Sequence, residues 1–197
     1  DLIMQTLQEI MTGFYSKINI KNIAKLKNKT ILITGASGLV GSNLIAYLDY
    51  LNKQINFDIK IVAVVRSGIE QWMTKSENVT YLRQDLSRKK INKNLHFNYL
   101  IHCATYGQPK KFIHYPKETV TLNINVLFDL LELAKKNKAT LLYPSSSEIY
   151  GEADNKHIPT EETYYGYVNT LSERAIYAES KRLAETICYL YSKKINV

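Results

Sequence analysis

From Thr30 onward, hydrophobic positions fall into short unbroken runs separated by longer amphipathic stretches. Thr30-Ile31-Leu32-Ile33-Thr34 is an apolar, β-branched run that ends in a glycine turn. Similar runs occupy residues 59–65, 79–83, 99–103 and 139–143, the last stopped by Pro144. Continuous apolar runs of this length predict strands buried on both faces, as in a parallel sheet. Between them the period changes to that of a helix. Residues 39–51 show it, and residues 116–136 set Val120, Ile124, Leu127, Leu131 and Ala134 along one stripe. A further helix is predicted over residues 173–191. Strands alternating with helices, joined by right-handed crossovers, predict an α/β protein built on a doubly wound parallel sheet.

The two ends read differently. Residues 1–28 predict a helical extension without chemistry. Leu7, Ile10, Met11 and Phe14 recur at helical spacing, and Ile20, Ile23, Ala24 and Leu26 form a second short helix. Residues 29–197 form the α/β domain. Ile195-Asn196-Val197 reads as the opening of a sixth strand, which predicts a substrate-binding part beyond it, truncated here. The opening Asp1-Leu2-Ile3-Met4-Gln5 has no initiator Met and no basic-then-apolar leader. It predicts numbering that begins inside a longer product, with no signal peptide and a cytoplasmic setting.

Composition narrows the function classes. At 197 residues, with 45% hydrophobic and 22% charged positions, the chain can fill one globular core. No apolar run approaches the roughly 20 residues that span a bilayer, so no membrane role is expected. The net charge of +8 raises nucleic acid as a partner. The lysines are scattered, however, and the 15 tyrosines form no stacking motif, so none is expected. A basic surface also suits a polyanionic cofactor and a diphosphate-linked substrate. Cys103 and Cys188 are the only cysteines, lack metal-ligand spacing, and predict reduced thiols and no metal site.

Thr34-Gly35-Ala36-Ser37-Gly38-Leu39-Val40-Gly41 joins the first strand to its helix. Gly35 permits a tight turn, Gly38 lets the backbone approach a pyrophosphate, and Gly41 lets the helix pack closely on the strand. The anion would sit at the helix N-terminus, where unpaired N–H groups and the dipole favour it. Gly35, Ser37, Gly38, Leu39, Val40 and Gly41 are therefore candidate cofactor-binding residues. The Gly-x-x-Gly-x-x-Gly spacing resembles the short-chain dehydrogenase/reductase superfamily in its extended subgroup, the NAD-dependent epimerase/dehydratase family. That resemblance implies a Rossmann fold, a bound NAD(P), a nucleotide-sugar substrate and a homodimer.

Later positions extend the pattern. The second strand ends at Arg66-Ser67, where an acidic residue would select NAD by binding the ribose hydroxyls. A guanidinium suits a ribose phosphate instead, so Arg66 tilts the expectation toward NADP. By resemblance, Asp85-Leu86 lies at the adenine, Cys103-Ala104-Thr105 lines the turn beside the cofactor, and Asn123 supports the active site from the long helix.

Tyr177 and Lys181 stand four apart and share a helix face. A nearby ammonium favours phenolate, which could act as a base. Tyr106/Lys110 and Tyr189/Lys193 have the same spacing. The first contains Pro109 and the second sits at a helix end, and neither follows a serine cluster at a strand end. Tyr177/Lys181 does follow one: Pro144-Ser145-Ser146-Ser147-Glu148-Ile149-Tyr150-Gly151. In the family pattern Ser146 falls on the catalytic Ser/Thr and Glu148 on a second-step acid/base. Lys181 would also hold the nicotinamide ribose.

The stretches Thr160-Glu161-Glu162-Thr163-Tyr164-Tyr165-Gly166-Tyr167-Val168-Asn169 and Arg174-Ala175-Ile176-Tyr177-Ala178-Glu179-Ser180-Lys181-Arg182 resemble UDP-glucuronate decarboxylases. Tyr165 and Thr170 replace that group's usual Trp and Pro. The resemblance implies oxidation at carbon 4 of a nucleotide sugar followed by decarboxylation through a 4-keto intermediate. Dehydration or epimerisation is the alternative chemistry, and a cofactor-binding module without turnover is the alternative of another class.

Overall fold

The computed structural model describes residue 13 and residues 19–195. Five strands form one sheet: β1 (Thr30–Thr34), β2 (Lys60–Val65), β3 (Val79–Arg83), β4 (Tyr99–His102) and β5 (Thr140–Leu142). Their order is β3-β2-β1-β4-β5, and every pairing is parallel. The predicted doubly wound sheet is therefore observed. The order reverses between β1 and β4, so a crevice opens beyond their carboxyl ends, where Thr34 pairs with His102.

Alternation along the inner strands divides the core. Ile31 and Ile33 of β1 join Ile61, Ala63 and Val65 of β2 on one face, under Ile45, Leu48 and Leu51. Those last three come from helix α2 (Leu39–Ile55), which follows the short helix α1 (Ile20–Ile23). Leu32, Val64 and Leu100 point to the opposite face and meet Leu122, Val126, Leu130 and Leu133. Asn52 closes the α2–β2 connection. Its amide donates to the Ile59 carbonyl at 2.8 Å, and its own oxygen accepts from the Ile59 N–H at 2.7 Å.

Several boundaries differ from expectation. A helix starts at Pro109, α3 (Pro109–His114), because proline at the first helical position sacrifices no hydrogen bond. The long helix comes in three parts: α4 (Pro116–Val120), a π-helical turn over Thr121–Asn125, and α5 (Val126–Asn137). It is also buried on two sides. The predicted stripe contributes Leu127 and Leu131, packed against Ala184 and Ile187 of the last helix, α6 (Ala175–Ile195). A second stripe, Leu122, Val126, Leu130 and Leu133, lies on the sheet. Ile195, expected to open a sixth strand, still belongs to α6. Its helical run continues because no glycine or proline interrupts residues 175–195. Asn196 and Val197 lie outside the described residues.

The expected helix around Leu7–Phe14 also lies outside the described residues. The second short helix is present as α1 plus a 3₁₀ turn over Ala24–Leu26, and its Ile23 and Leu26 pack on the core. Among the described residues no helix is long and apolar enough to cross a membrane, and no group of His, Cys, Asp and Glu could hold a metal ion.

Candidate cofactor crevice and active site

The crevice floor is tied together by a buried pair. Thr34 Oγ1 lies 2.6 Å from His102 Nδ1, and His102 Nε2 lies 2.9 Å from the Leu122 carbonyl oxygen. A carbonyl only accepts, so Nε2 carries the proton and the Thr34 hydroxyl donates to Nδ1. The Thr34 oxygen in turn accepts from the Ala104 N–H at 3.3 Å. Burial pushes the His102 pKa down to about 4, so the imidazole is neutral and structural. Between the unfolded value near 6.5 and the folded value near 4, the unfolded chain binds a proton that the folded one refuses. Stability from this group is present above pH 6.5 and is lost as pH falls to 4, on the order of 3 kcal/mol in all. Urea unfolding of wild type and His102→Gln at pH 7 and pH 4.5 should show their stability gap narrowing at the lower pH. A constant gap would refute a neutral buried imidazole.

The glycine turn is held against the β4 turn. Gly35 has φ +67°, and a Cβ there would stand 2.6 Å from the Cys103 and Ala104 backbones. A Cβ on Gly41 would stand 2.5 Å from the Gly35 carbonyl oxygen, as expected for close helix packing. Gly38 caps α2 without a side-chain hydrogen bond. First-turn N–H groups lack helical acceptors, and with no side-chain cap they remain open to an anion. The donor set thus fits a dinucleotide pyrophosphate, with Ser37 in the turn and Leu39 and Val40 exposed at its mouth.

Other candidate cofactor residues are placed as follows. Arg66 and Ser67 follow β2 and are exposed. The Arg66 guanidinium lies over the Tyr106 ring, 5.2 Å from its centroid, and hydrogen-bonds the Tyr106 hydroxyl. Tyr106 stacks on Tyr115. Asp85 accepts from the Ser87 N–H at 3.0 Å and the Ser87 hydroxyl at 2.6 Å, and pairs with Arg88 at 3.6 Å. Leu86 is buried. Burial pushes the Cys103 thiol up to about 11, which leaves it unreactive. Thr105 Oγ1 is buried without a hydrogen-bond partner among the described residues.

Tyr177, Ser146, Glu148 and Lys181 converge beyond β5. Ser146 caps the 3₁₀ turn Ser147–Tyr150, its hydroxyl accepting from the Glu148 N–H at 3.3 Å. Tyr177 lies in the first turn of α6, is 6% exposed, and stacks on Phe112 with ring centroids 4.7 Å apart. Burial raises the phenol pKa, a hydrogen bond with Ser146 lowers it, and the Glu148 charge raises it; the net shift is upward.

Lys181 follows Tyr177 by four residues on α6. Its ammonium donates to the Pro144 carbonyl at 2.7 Å and sits 4.2 Å from the Tyr143 ring centroid, but 5.9 Å from that of Tyr177. Burial lowers its pKa to about 8. Asn123 occupies the π-helical turn. Its amide donates to Ser180 Oγ at 2.9 Å, Ser180 Oγ donates to the Tyr177 carbonyl at 2.9 Å, and Asn123 Oδ1 has no partner among the described residues. The turn opens the helix toward α6 at the position that steadies the Tyr177 backbone.

Two arginines escaped the sequence reading. Arg174 pairs with Glu148 and lies 5.9 Å from the Phe112 ring centroid. Arg182 donates to the Ile149 and Tyr165 carbonyls, both at 2.8 Å. It rivets two loops to α6 where they cross: Gly151 and Gly166 both have positive φ, and a Cβ on either would collide with the opposite strand. The available signal was position, since Arg174 stands one helical turn before Tyr177 and Arg182 follows Lys181.

The NAD dependent epimerase/dehydratase family matches residues 31–197. The chain belongs to that family. Within the NAD-dependent epimerase/dehydratase family, it is similar to UDP-glucuronic acid decarboxylase 1 of Danio rerio, 30% identical over 194 residues, 98% of this chain and 45% of that protein. UDP-glucuronic acid decarboxylase 1 of Arabidopsis thaliana is 32% identical over 178 residues, 87% of this chain and 38% of that protein. The chain thus spans less than half the length of these curated relatives. A solved UDP-N-acetylglucosamine 4-epimerase from Methanobrevibacter ruminantium M1 superposes with a TM-score of 0.70 at 24% identity. The match covers 87% of this chain and 53% of that one, and this likeness shows the shared fold.

Proposed function

We propose that this chain supplies the cofactor-binding and proton-handling part of a nucleotide-sugar enzyme that acts through a 4-keto intermediate, in the manner of a UDP-glucuronate decarboxylase. The observation that carries the reading is the convergence of Tyr177, Ser146 and Glu148 beyond β5, in a fold whose glycine turn suits a pyrophosphate. A bound NAD(P) supplies the hydride acceptor. Tyr177 takes the proton of the carbon-4 hydroxyl, and Ser146 orients that hydroxyl by sharing its hydrogen bond. Burial and Glu148 both oppose ionisation of the phenol. The positive charge of Lys181, 5.9 Å from the Tyr177 ring centroid, would favour the phenolate. The 4-keto group then stabilises the electron pair released as the carbon-5 carboxylate leaves as carbon dioxide, Glu148 handles the proton that takes its place, and Tyr177 would give back its proton as the hydride returns to carbon 4 from the reduced cofactor. Arg66 directs the site toward NADP, since a guanidinium matches a ribose phosphate.

Incubation of the full-length protein with UDP-glucuronate should release carbon dioxide and a UDP-pentose. A dehydrated or epimerised hexose product would move the assignment to those branches, and an unaltered sugar would defeat it. The same assay run with NADP in place of NAD reads the contribution of Arg66; faster turnover with NAD would remove it.

A further inference from the structure

Glu148 carries negative charge into the place where the reacting sugar would lie. A C5 carboxylate is attached one ring atom from the carbon-4 hydroxyl, so a uronate seated on Tyr177 and Ser146 brings a second anion toward Glu148. Two like charges in a half-buried crevice disfavour binding unless a cation stands with them. Arg174 is that cation. Its guanidinium gives one Nη to Glu148, the only acceptor that the Arg174 side chain has among the described residues.

The head group is also fixed in place. It lies over Phe112, which is 1% exposed and stacked on Tyr177 with ring planes only 10° apart. Its backbone carbonyl begins α6 by accepting from the Tyr177 N–H at 3.1 Å. Its side chain is 51% exposed, so the remaining guanidinium donors are open to an incoming carboxylate. A planar fork with five donors can serve two carboxylates at once, which an ammonium cannot do with the same geometry.

Resting on the functional reading above, we infer that Arg174 determines specificity for an acidic sugar: it holds Glu148 with one edge and receives the carbon-5 carboxylate of a nucleotide-linked uronate with another.

The test uses the full-length protein saturated with whichever of NAD and NADP binds it more tightly, with Tyr177→Phe introduced to stop turnover. Affinities for UDP-glucuronate and for neutral UDP-glucose are measured by calorimetry. Arg174→Met should lower the UDP-glucuronate/UDP-glucose affinity ratio at least about tenfold while UDP-glucose binding changes by less than about threefold. Arg174→Lys should restore part of the ratio, and Glu148→Gln should raise it by removing the competing charge. If Arg174→Met does not fold, Arg174→Gln and Arg174→Lys must show the same graded loss.

An unchanged ratio, an equal loss for both sugars, or no binding of either sugar overturns the inference. Carbon dioxide release by the Tyr177-intact protein with an Arg174-independent ratio would sink this inference and leave the decarboxylase reading standing. An Arg174-dependent ratio without carbon dioxide would do the reverse.

Discussion

Tyr177→Phe in the full-length protein is expected to slow hydride transfer by about 10²–10⁴-fold, the usual contribution of a positioned acid/base. The substitution is clean. Tyr177 is 6% exposed and its ring lies flat on Phe112, so phenylalanine preserves the stack and the packing of the first turn of α6. It removes the hydroxyl and its interaction with Ser146. Cofactor affinity, read by fluorescence titration of the reduced nicotinamide, should stay within about threefold, because only a transition-state interaction is lost. Turnover retained within tenfold would remove Tyr177 from the chemistry. A collapse of cofactor binding would make its role structural.

Gly35→Ala should cost about 3 kcal/mol of stability or more, the range for a left-handed residue combined with backbone overlap. The added Cβ would stand 2.6 Å from the Ala104 nitrogen and the Cys103 carbonyl carbon, and 2.7 Å from the Cys103 oxygen, at φ +67°. All three are main-chain atoms. They sit where β1 and β4 are in register and where Thr34 and His102 are bonded, so neither side can yield. Gly68→Ala is the control, since nothing lies within 4 Å of a Cβ there; it should change stability by less than about 0.5 kcal/mol. Equal urea midpoints for the two variants would contradict the close approach of the turns.

The sheet was readable because strands buried on both faces leave continuous apolar runs. Ile31–Ile33 and Ile61–Val65 carry no polar position to blur the period. The π-helical turn was not readable, because Leu122, Ile124 and Val126 continue an apolar pattern through it without a glycine or proline. Pro109 starts a helix rather than interrupting one, so Tyr106 falls outside it and shares no helical face with Lys110. The order of the site motifs was legible, since the glycine turn, Arg66, Asp85, Cys103 and Ser146 each follow a strand end. The partners of their charged groups were not. Arg174 meets Glu148 across 26 residues, Lys181 meets the Pro144 carbonyl across 37, and Arg66 meets Tyr106 across 40. Those meetings depend on which loops the fold brings together, and no local period encodes them.

The self-crossing at Gly151 and Tyr167 has a consequence for how this architecture can diversify. Because the backbone closes on itself there and Arg182 locks the junction, the intervening tip is a mechanically insulated appendage. Side chains such as Asp154, His157 and Tyr164, which contact one another within the tip, can be exchanged without tugging on Ser146 or Glu148. Sequence change within the tip can therefore accumulate while the turn that carries Ser146 and Glu148 keeps its alignment.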